Sequence, residues 1–312
     1  MFSPTVSQLQ AFVAAHEEGS LSAGARRLGI SQASISEAVQ RLEENLNVVL
    51  FVRQPRGLLP TPAADALLPH VRVCLGALEA GSEAVRSLNA LEGGVVSFGM
   101  LRYASSYGLS DLAQRFHARH PQVRIRMVGV NSHLVAQAVR QGSLEAGIVV
   151  LPVDSEGLTV TPIARDEVLL GSASRGPEQG PVGIEELVSM PLVLFDADAG
   201  PDDPTRRQLT ERALRRGHVI EPLVEVELAD TAAQLVATGV GASLFARTLA
   251  ERPGFPGSIH LTPLDPPLHD TLAVVTRSDV YLSTATLRFA QMAEAAIRAH
   301  FEQSGRTDWQ VS

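Results

Sequence analysis

Residues 29–43, Gly-Ile-Ser-Gln-Ala-Ser-Ile-Ser-Glu-Ala-Val-Gln-Arg-Leu-Glu, carry the side chains best suited to reading DNA. Gln32, Ser34, Ser36 and Gln40 can reach base edges or phosphates, and glutamine pairs bidentately with adenine N6 and N7. On the same segment Ile35, Val39, Leu42 and Leu46 recur at spacings of four, three and four, one apolar helical stripe. Gly29 supplies a turn and Ser31 a natural N-cap. A helix built only to pack would more often carry Ala, Glu or Lys on its outer face. Arg53 and Arg56 are candidates for phosphate contact, with Arg26 and Arg27 a second basic cluster. The chain has no lysine, so every basic contact is a guanidinium, suited to bidentate binding. Arg41 is equally placed to pair with a nearby carboxylate, and Glu37 could accept from a cytosine amine.

Such residues need a scaffold that presents them. Leu9, Phe12 and Val13 share a stripe on a first helix ending at Glu17-Glu18-Gly19, and Ser22–Leu28 gives a short second helix with Ala25 and Leu28 inward. Helix, tight turn, helix is the arrangement that lays its second helix in the DNA major groove, with an ordinary three-helix cluster as the alternative. Leu50–Arg53, the turn 54–57 and Leu58–Pro60 read as a wing carrying Arg53 and Arg56. From Leu9 to Leu68 the chain resembles the LysR-type transcriptional regulators. The pairs Ser31-Gln32, Leu42-Glu43 and Leu50-Phe51, with Arg53, carry that resemblance.

Thr61-Pro62 starts a helix with Thr as cap and Pro at the first position. Leu67, Val71, Cys74, Leu78, Gly81, Val85 and Leu88 then alternate at spacings of four and three, the heptad pattern of a two-helix seam. At 1.5 Å per residue, Thr61 to Ala90 spans about 45 Å. A long connecting helix has little core of its own to face, so the stripe favours self-association. The resemblance implies the same, pairing between subunits of a dimer or tetramer. Cys74 reads as a small buried apolar group, with a redox switch as the second reading.

After the Glu92-Gly93-Gly94 break, short apolar strands alternate with amphipathic helices, which predicts parallel sheets with crossover helices. The resemblance implies a two-lobed α/β domain like the type 2 periplasmic solute-binding proteins, crossing to the second lobe near 161–164 and returning near 262–267. The expected organisation is an all-α winged helix-turn-helix domain at 1–61, a linker and dimerisation helix at 62–91 and an effector-binding domain at 92–302. Lobe I takes about 92–162 and 268–302, lobe II about 163–267, and a frayed polar tail follows at 303–312. Ligands in open α/β sheets sit beyond the carboxyl ends of strands, near helix N-termini. That selects Arg102, Tyr103 and Ser105 after the first strand, Asn131 and Ser132 after the second, and Phe195 and Thr231 in lobe II. The resemblance implies small hydroxyls at such places. Ser132 and Thr231 match, while Tyr103 stands where many members carry Ser or Thr and weakens the case for a carboxylate effector, with Arg102 left as a counter-ion. A helix cap with no ligand is the other use of each hydroxyl.

A chain of 312 residues suggests two or three domains. Its formal charge is −8, and residues 1–90 hold seven arginines against eight carboxylates, so net charge alone would not indicate DNA. A single cysteine excludes an intramolecular disulfide and any cysteine-rich metal site. No apolar run approaches the roughly 18–20 residues that cross a bilayer, and the N-terminus is not a secretory signal, so a cytoplasmic location is expected. HExxH, CxxC, GxSxG and phosphate-loop patterns are absent, and Gly239-Val240-Gly241 lacks the third glycine of a dinucleotide fingerprint. No enzyme activity, cofactor or metal is expected. The reading is a DNA-binding regulator that responds to a small organic effector, with double-stranded DNA, its own copies and RNA polymerase as partners. Two alternatives stay open: an effector-independent regulator whose C-terminal domain serves assembly, and a solute-binding or enzymatic α/β protein with a helical interaction module.

Overall fold

The computed structural model describes residues 4–54, 57–87, 94–305 and 309–310. They fall into two compact units, residues 1–85 with 140–143 and residues 86–139 with 144–312.

In the first unit, α1 (Val6–Glu18), α2 (Leu21–Leu28) and α3 (Gln32–Leu46) are delimited by local signals. Thr5 and Gln8 form a capping box, Ser20 and Ser31 cap the next two helices, and Gly19, Gly29 and Asn47 take left-handed conformations at the ends. The helices cross closely. A Cβ on Gly24 would lie 2.9 Å from Ile35 Cδ1 and 3.2 Å from the Ala14 backbone, so only glycine fits there. Phe12, Ile35, Leu42 and Leu50 are fully buried at the centre. β1 (Phe51–Gln54) and β2 (Gly57–Pro60) pair antiparallel, Phe51 opposite Pro60, as the expected wing.

α4 (Pro62–Ser87) follows, its first turn capped by Thr61, whose Oγ1 accepts from the Ala64 N–H at 3.3 Å. Its heptad stripe divides in two. Val71 is 3% exposed and joins the core of the three helices, with Leu67 partly buried beside it. Cys74 is exposed rather than buried, and Leu78 (49%) and Gly81 also face solvent. The reason is length: the first turns lie against α1 and α3, whereas the later turns outrun them. The Val85 side chain and Leu88 lie outside the described residues.

The second unit opens with β3 (Val95–Met100), α5 (Leu112–Arg119), β4 (Arg124–Gly129), α6 (Ser132–Arg140) and β5 (Ala146–Leu151), with β4 and β5 parallel to β3. β6 (Leu158–Ser172) then leaves this lobe. The second lobe contains β7 (Val182–Gly183), α7 (Ile184–Val188), β8 (Val193–Leu194), α8 (Pro204–Leu214), β9 (Val224–Glu225), α9 (Ala229–Ala237), β10 (Ala242–Ala246) and α10 (Arg247–Ala250). β11 (His260–Arg277) returns, and α11 (Thr284–Gln303) closes lobe I.

The main sheet runs β10-β6-β11-β5-β3-β4. It is mixed, which corrects the expectation of parallel sheets: β11 is antiparallel to both β5 and β6, and β10 is antiparallel to β6. β6 and β11 are long strands of 15 and 18 residues. Pro263, Pro266 and Pro267 hide the first half of β11 from a pattern reading, and the register shifts between Pro263 and Leu268. Where the ribbon passes between lobes, Asp166 and Asp270 are register partners, both buried. Phe98, Phe116, Phe289 and Phe301 centre the lobe I core, and Leu170, Leu194, Leu209 and Leu244 that of lobe II.

The tail also departs from expectation. Trp309 is 6% exposed and stacks on Phe301, and its carbonyl accepts from the Arg165 N–H at 2.8 Å. One large aromatic ring seated in the lobe I core outweighs its polar neighbours.

Candidate functional site

The first candidate site is the outer face of α3. With Ile35, Val39 and Leu42 buried, Gln32, Ser34 and Gln40 are exposed and Ser36 is half-buried beside them. Ser31 Oγ accepts from the Ser34 N–H at 3.1 Å, which fixes the first turn and leaves Gln32 at the helix tip. Gln40 Nε2 donates to Glu44 Oε1 at 2.9 Å, so its amide starts from an intrahelical bond. Arg41 pairs with Glu37 one turn away, both largely exposed. Arg27 is likewise engaged, by Glu17 and Glu18, which leaves Arg26 as the more available half of the expected phosphate cluster. Glu17 also takes a 2.6 Å bond from Arg72. Burial pushes its carboxyl up, and the bonds from Arg72 and Arg27 outweigh this to hold it below the usual range. The Arg53 side chain and the whole of Arg56 lie outside the described residues.

The second candidate is a pocket of about 210 Å³ between the lobes of the second unit. Arg102, Tyr103 and Ser105 line it from lobe I, and Phe195 from lobe II, four of the residues that the sequence reading selected. Lobe II adds Asp196, Glu227, Asp230 and Arg252, with Leu228 and Leu249 as apolar wall. Phe195 is held by stacking on Phe245, ring centroids 6.0 Å apart. Arg102 bridges the lobes: its Nε lies 3.4 Å from Asp196 Oδ1 and its Nη1 pairs with Glu227. Arg252 pairs with Asp230.

The remaining expected residues do other work. Ser132 is buried and its Oγ accepts from the Val150 N–H at 2.9 Å, so it fastens α6 to β5. Asn131 Nδ2 donates to Asp203 Oδ2 at 3.0 Å, linking lobe I to the residue that caps α8. Both line a narrow crevice beside the pocket, with room for about one water. Thr231 is exposed on α9 and outside the pocket lining, where its neighbour Asp230 stands instead.

A row of buried carboxylates stands behind the pocket. Asp196 adopts a left-handed backbone (φ 58°), and burial, then the charge of Asp203, push its carboxyl up to about 6. Asp203 is raised by burial. Asp270 is pushed well above the carboxylate range by burial, despite accepting from Thr205 Oγ1 at 2.8 Å. Asp166 accepts from the Tyr107 hydroxyl at 3.0 Å. Burial, then Asp270 and its fellow carboxylates, raise the Tyr103 phenol well above its ordinary value. Sequence reading missed Asp196, Glu227 and Arg252, since nothing local marks an acid that burial will draw into a cleft.

Among the described residues no group of three His, Cys, Asp or Glu is arranged to hold a metal, and no helix is long and apolar enough to cross a membrane.

Comparison with known proteins bears on both sites. Residues 6–65 match "Bacterial regulatory helix-turn-helix protein, lysR family" and residues 89–298 match "LysR substrate binding domain". The probable hydrogen peroxide-inducible genes activator of Mycobacterium leprae is 29% identical, covering 80% of each chain. The HTH-type transcriptional regulator IlvR of Caulobacter vibrioides is 27% identical, covering 88% of this chain and 93% of that one. In fold, the chain is similar to a full-length OxyR variant from Pseudomonas aeruginosa, with a TM-score of 0.71, 21% identity and 96% of each chain covered. It is also similar to full-length CbnR complexed with its target DNA, with a TM-score of 0.61, 21% identity and coverage of 94% of this chain and 99% of CbnR. The family models thus match residues 6–65 and 89–298, most of the chain, which belongs to the lysR family of DNA-binding transcription regulators.

Proposed function

We propose that α3 reads operator DNA through Gln32, Ser34, Ser36 and Gln40 while Arg53 and Arg56 hold phosphates. In this reading the protein works in the cytoplasm as a dimer or tetramer, catalyses no reaction itself and passes its signal to RNA polymerase. The observation that carries it is the two-faced character of α3, buried on Ile35, Val39 and Leu42 and polar and exposed opposite. That a structural neighbour is CbnR with its target DNA supports the same use of this unit. Self-association through Cys74, Leu78 and Gly81 is supported by their exposure on one stripe of α4, which continues in sequence through Val85 and Leu88.

A small organic molecule in the inter-lobe pocket then biases DNA binding. It can do so only by binding two lobe arrangements with different affinity. The names of several relatives refer to hydrogen peroxide, and this chain has one cysteine, Cys74, which lies on α4 and outside the pocket. The test is selection of binding sites from a random duplex library, followed by anisotropy titrations of the selected duplex with and without metabolites. Sequence-selective binding whose midpoint moves with one compound supports the reading, and binding with no preference over random DNA defeats it. One observation favours the effector-independent alternative: Arg102 already spans the pocket to Asp196 and Glu227.

A further inference from the structure

We propose that the inter-lobe pocket takes a small organic cation, an alkylammonium or alkylguanidinium, which competes with Arg102 for Asp196 and Glu227. The inference rests on the pocket being the effector site.

Charge is the first argument. The lining holds three carboxylates, Asp196, Glu227 and Asp230, against two guanidiniums, Arg102 and Arg252. Both guanidiniums are already ion-paired within the pocket, so one negative charge is in surplus. A carboxylate effector would have to take Arg102 from two fixed carboxylates and then lie beside the surplus, where like charges disfavour it. A cation meets the opposite field.

Hydrogen-bond geometry is the second. Asp196 is 3% exposed, and its Oδ1 accepts no hydrogen bond although Arg102 Nε stands 3.4 Å away. Glu227 Oε1 and Arg102 Nε are also buried without an aligned hydrogen-bond partner. The pairing is therefore ionic but poorly directed, and buried polar atoms in that condition are the exception in folded proteins. A mobile ammonium or guanidinium can align with both carboxylates as the tethered Arg102 does not. Tyr103 and Phe195 add aromatic surface, which attracts cations, and Leu228 and Leu249 suit a hydrocarbon body.

The test uses the full-length chain and four probes of similar size: n-butylguanidinium, n-butylammonium, pentanoate and pentanamide. Calorimetric titration should show saturable binding of the two cations and none of pentanoate. Glu227→Gln, at a partly exposed position that folding tolerates, and Asp196→Asn should each weaken cation binding on the order of tenfold, the effect of one lost charge-assisted contact. Arg102→Gln should tighten it, because the competitor is gone. Pentanoate binding that disappears in Arg102→Gln would overturn the cation class while leaving the pocket as effector site. Binding of pentanamide as tight as that of the cations would overturn it too, by showing that the apolar body suffices. If none of the four binds, the cation class is refuted, and the effector-site reading is judged separately by the metabolite titrations on DNA.

Discussion

Glu43 on α3 reaches the start of the wing: its Oε1 accepts the Leu50 N–H at 2.7 Å and the Phe51 N–H at 3.0 Å. One carboxylate oxygen thus fixes the angle between the reading helix and β1. Glu43→Ala is expected to leave two backbone donors unmet and to lower stability by about 1–3 kcal/mol. It should also weaken binding on operator and random DNA alike. Urea unfolding and anisotropy on both duplexes test this, and a loss confined to the operator would show that Glu43 reads bases.

In the proposed reading base contacts fall to α3 and phosphate contacts to the wing, and the two can be told apart. Gln32→Ala should change preference at one base position, by about 1–3 kcal/mol, with little change on random DNA. Arg53→Ala should weaken binding on every sequence and reduce the salt slope by about one. Equal losses on both duplexes for Gln32→Ala would refute its assignment.

The divided stripe of α4 gives two different expectations on one helix. Val71→Ala removes methyls from the core of the first unit and should lower its stability by about 1–2 kcal/mol while leaving assembly intact. Leu78→Asp places a charge on an exposed position and should leave folding intact but shift sedimentation toward the monomer. An unchanged sedimentation profile would remove α4 from the interface.

The carboxyl of Asp196, raised to about 6 from an ordinary 3.8, sets a pH dependence. A raised acid favours the folded state while protonated; that contribution is complete below about pH 4 and is lost as pH rises through 6. At pH 7.5 the buried charge therefore opposes folding, by about 3 kcal/mol at most. Asp196→Asn keeps a residue that accepts the left-handed backbone. It should raise the thermal midpoint at pH 7.5, with the gain shrinking toward pH 4. A loss of stability at pH 7.5 would mean that the pairing with Arg102 outweighs burial.

Trp309 is held by Phe301 and by the Arg165 N–H. Trp309→Ala should destabilise the second unit by about 3–5 kcal/mol, the usual range for a buried large aromatic. Wild-type unfolding after removal of residues 304–312 would show that the tail contributes nothing.

The first unit was legible because its signals are local: Ser31 caps, Gly29 turns and Ile35, Val39 and Leu42 share a period. What α4 faces was not legible, since a stripe says that Val71 and Leu78 are apolar but not where neighbouring helices end. In the pocket, the loops after the strands were foreseeable from topology, and Arg102, Tyr103, Ser105 and Phe195 follow. Asp196 and Glu227 were not, because only the tertiary fold brings them to Arg102. Ser132 and Thr231 fit a pattern of hydroxyls but serve a backbone N–H and solvent, respectively.

The β6–β11 ribbon restricts how the two lobes can move. Its antiparallel ladder locks the register of the strands, so they can bend and twist together far more readily than slide. Any change of lobe angle would then be a swivel about an axle near Asp166 and Asp270. Arg102, spanning from lobe to lobe, would be stretched or released by such a swivel, and its ion pairs would gauge the angle.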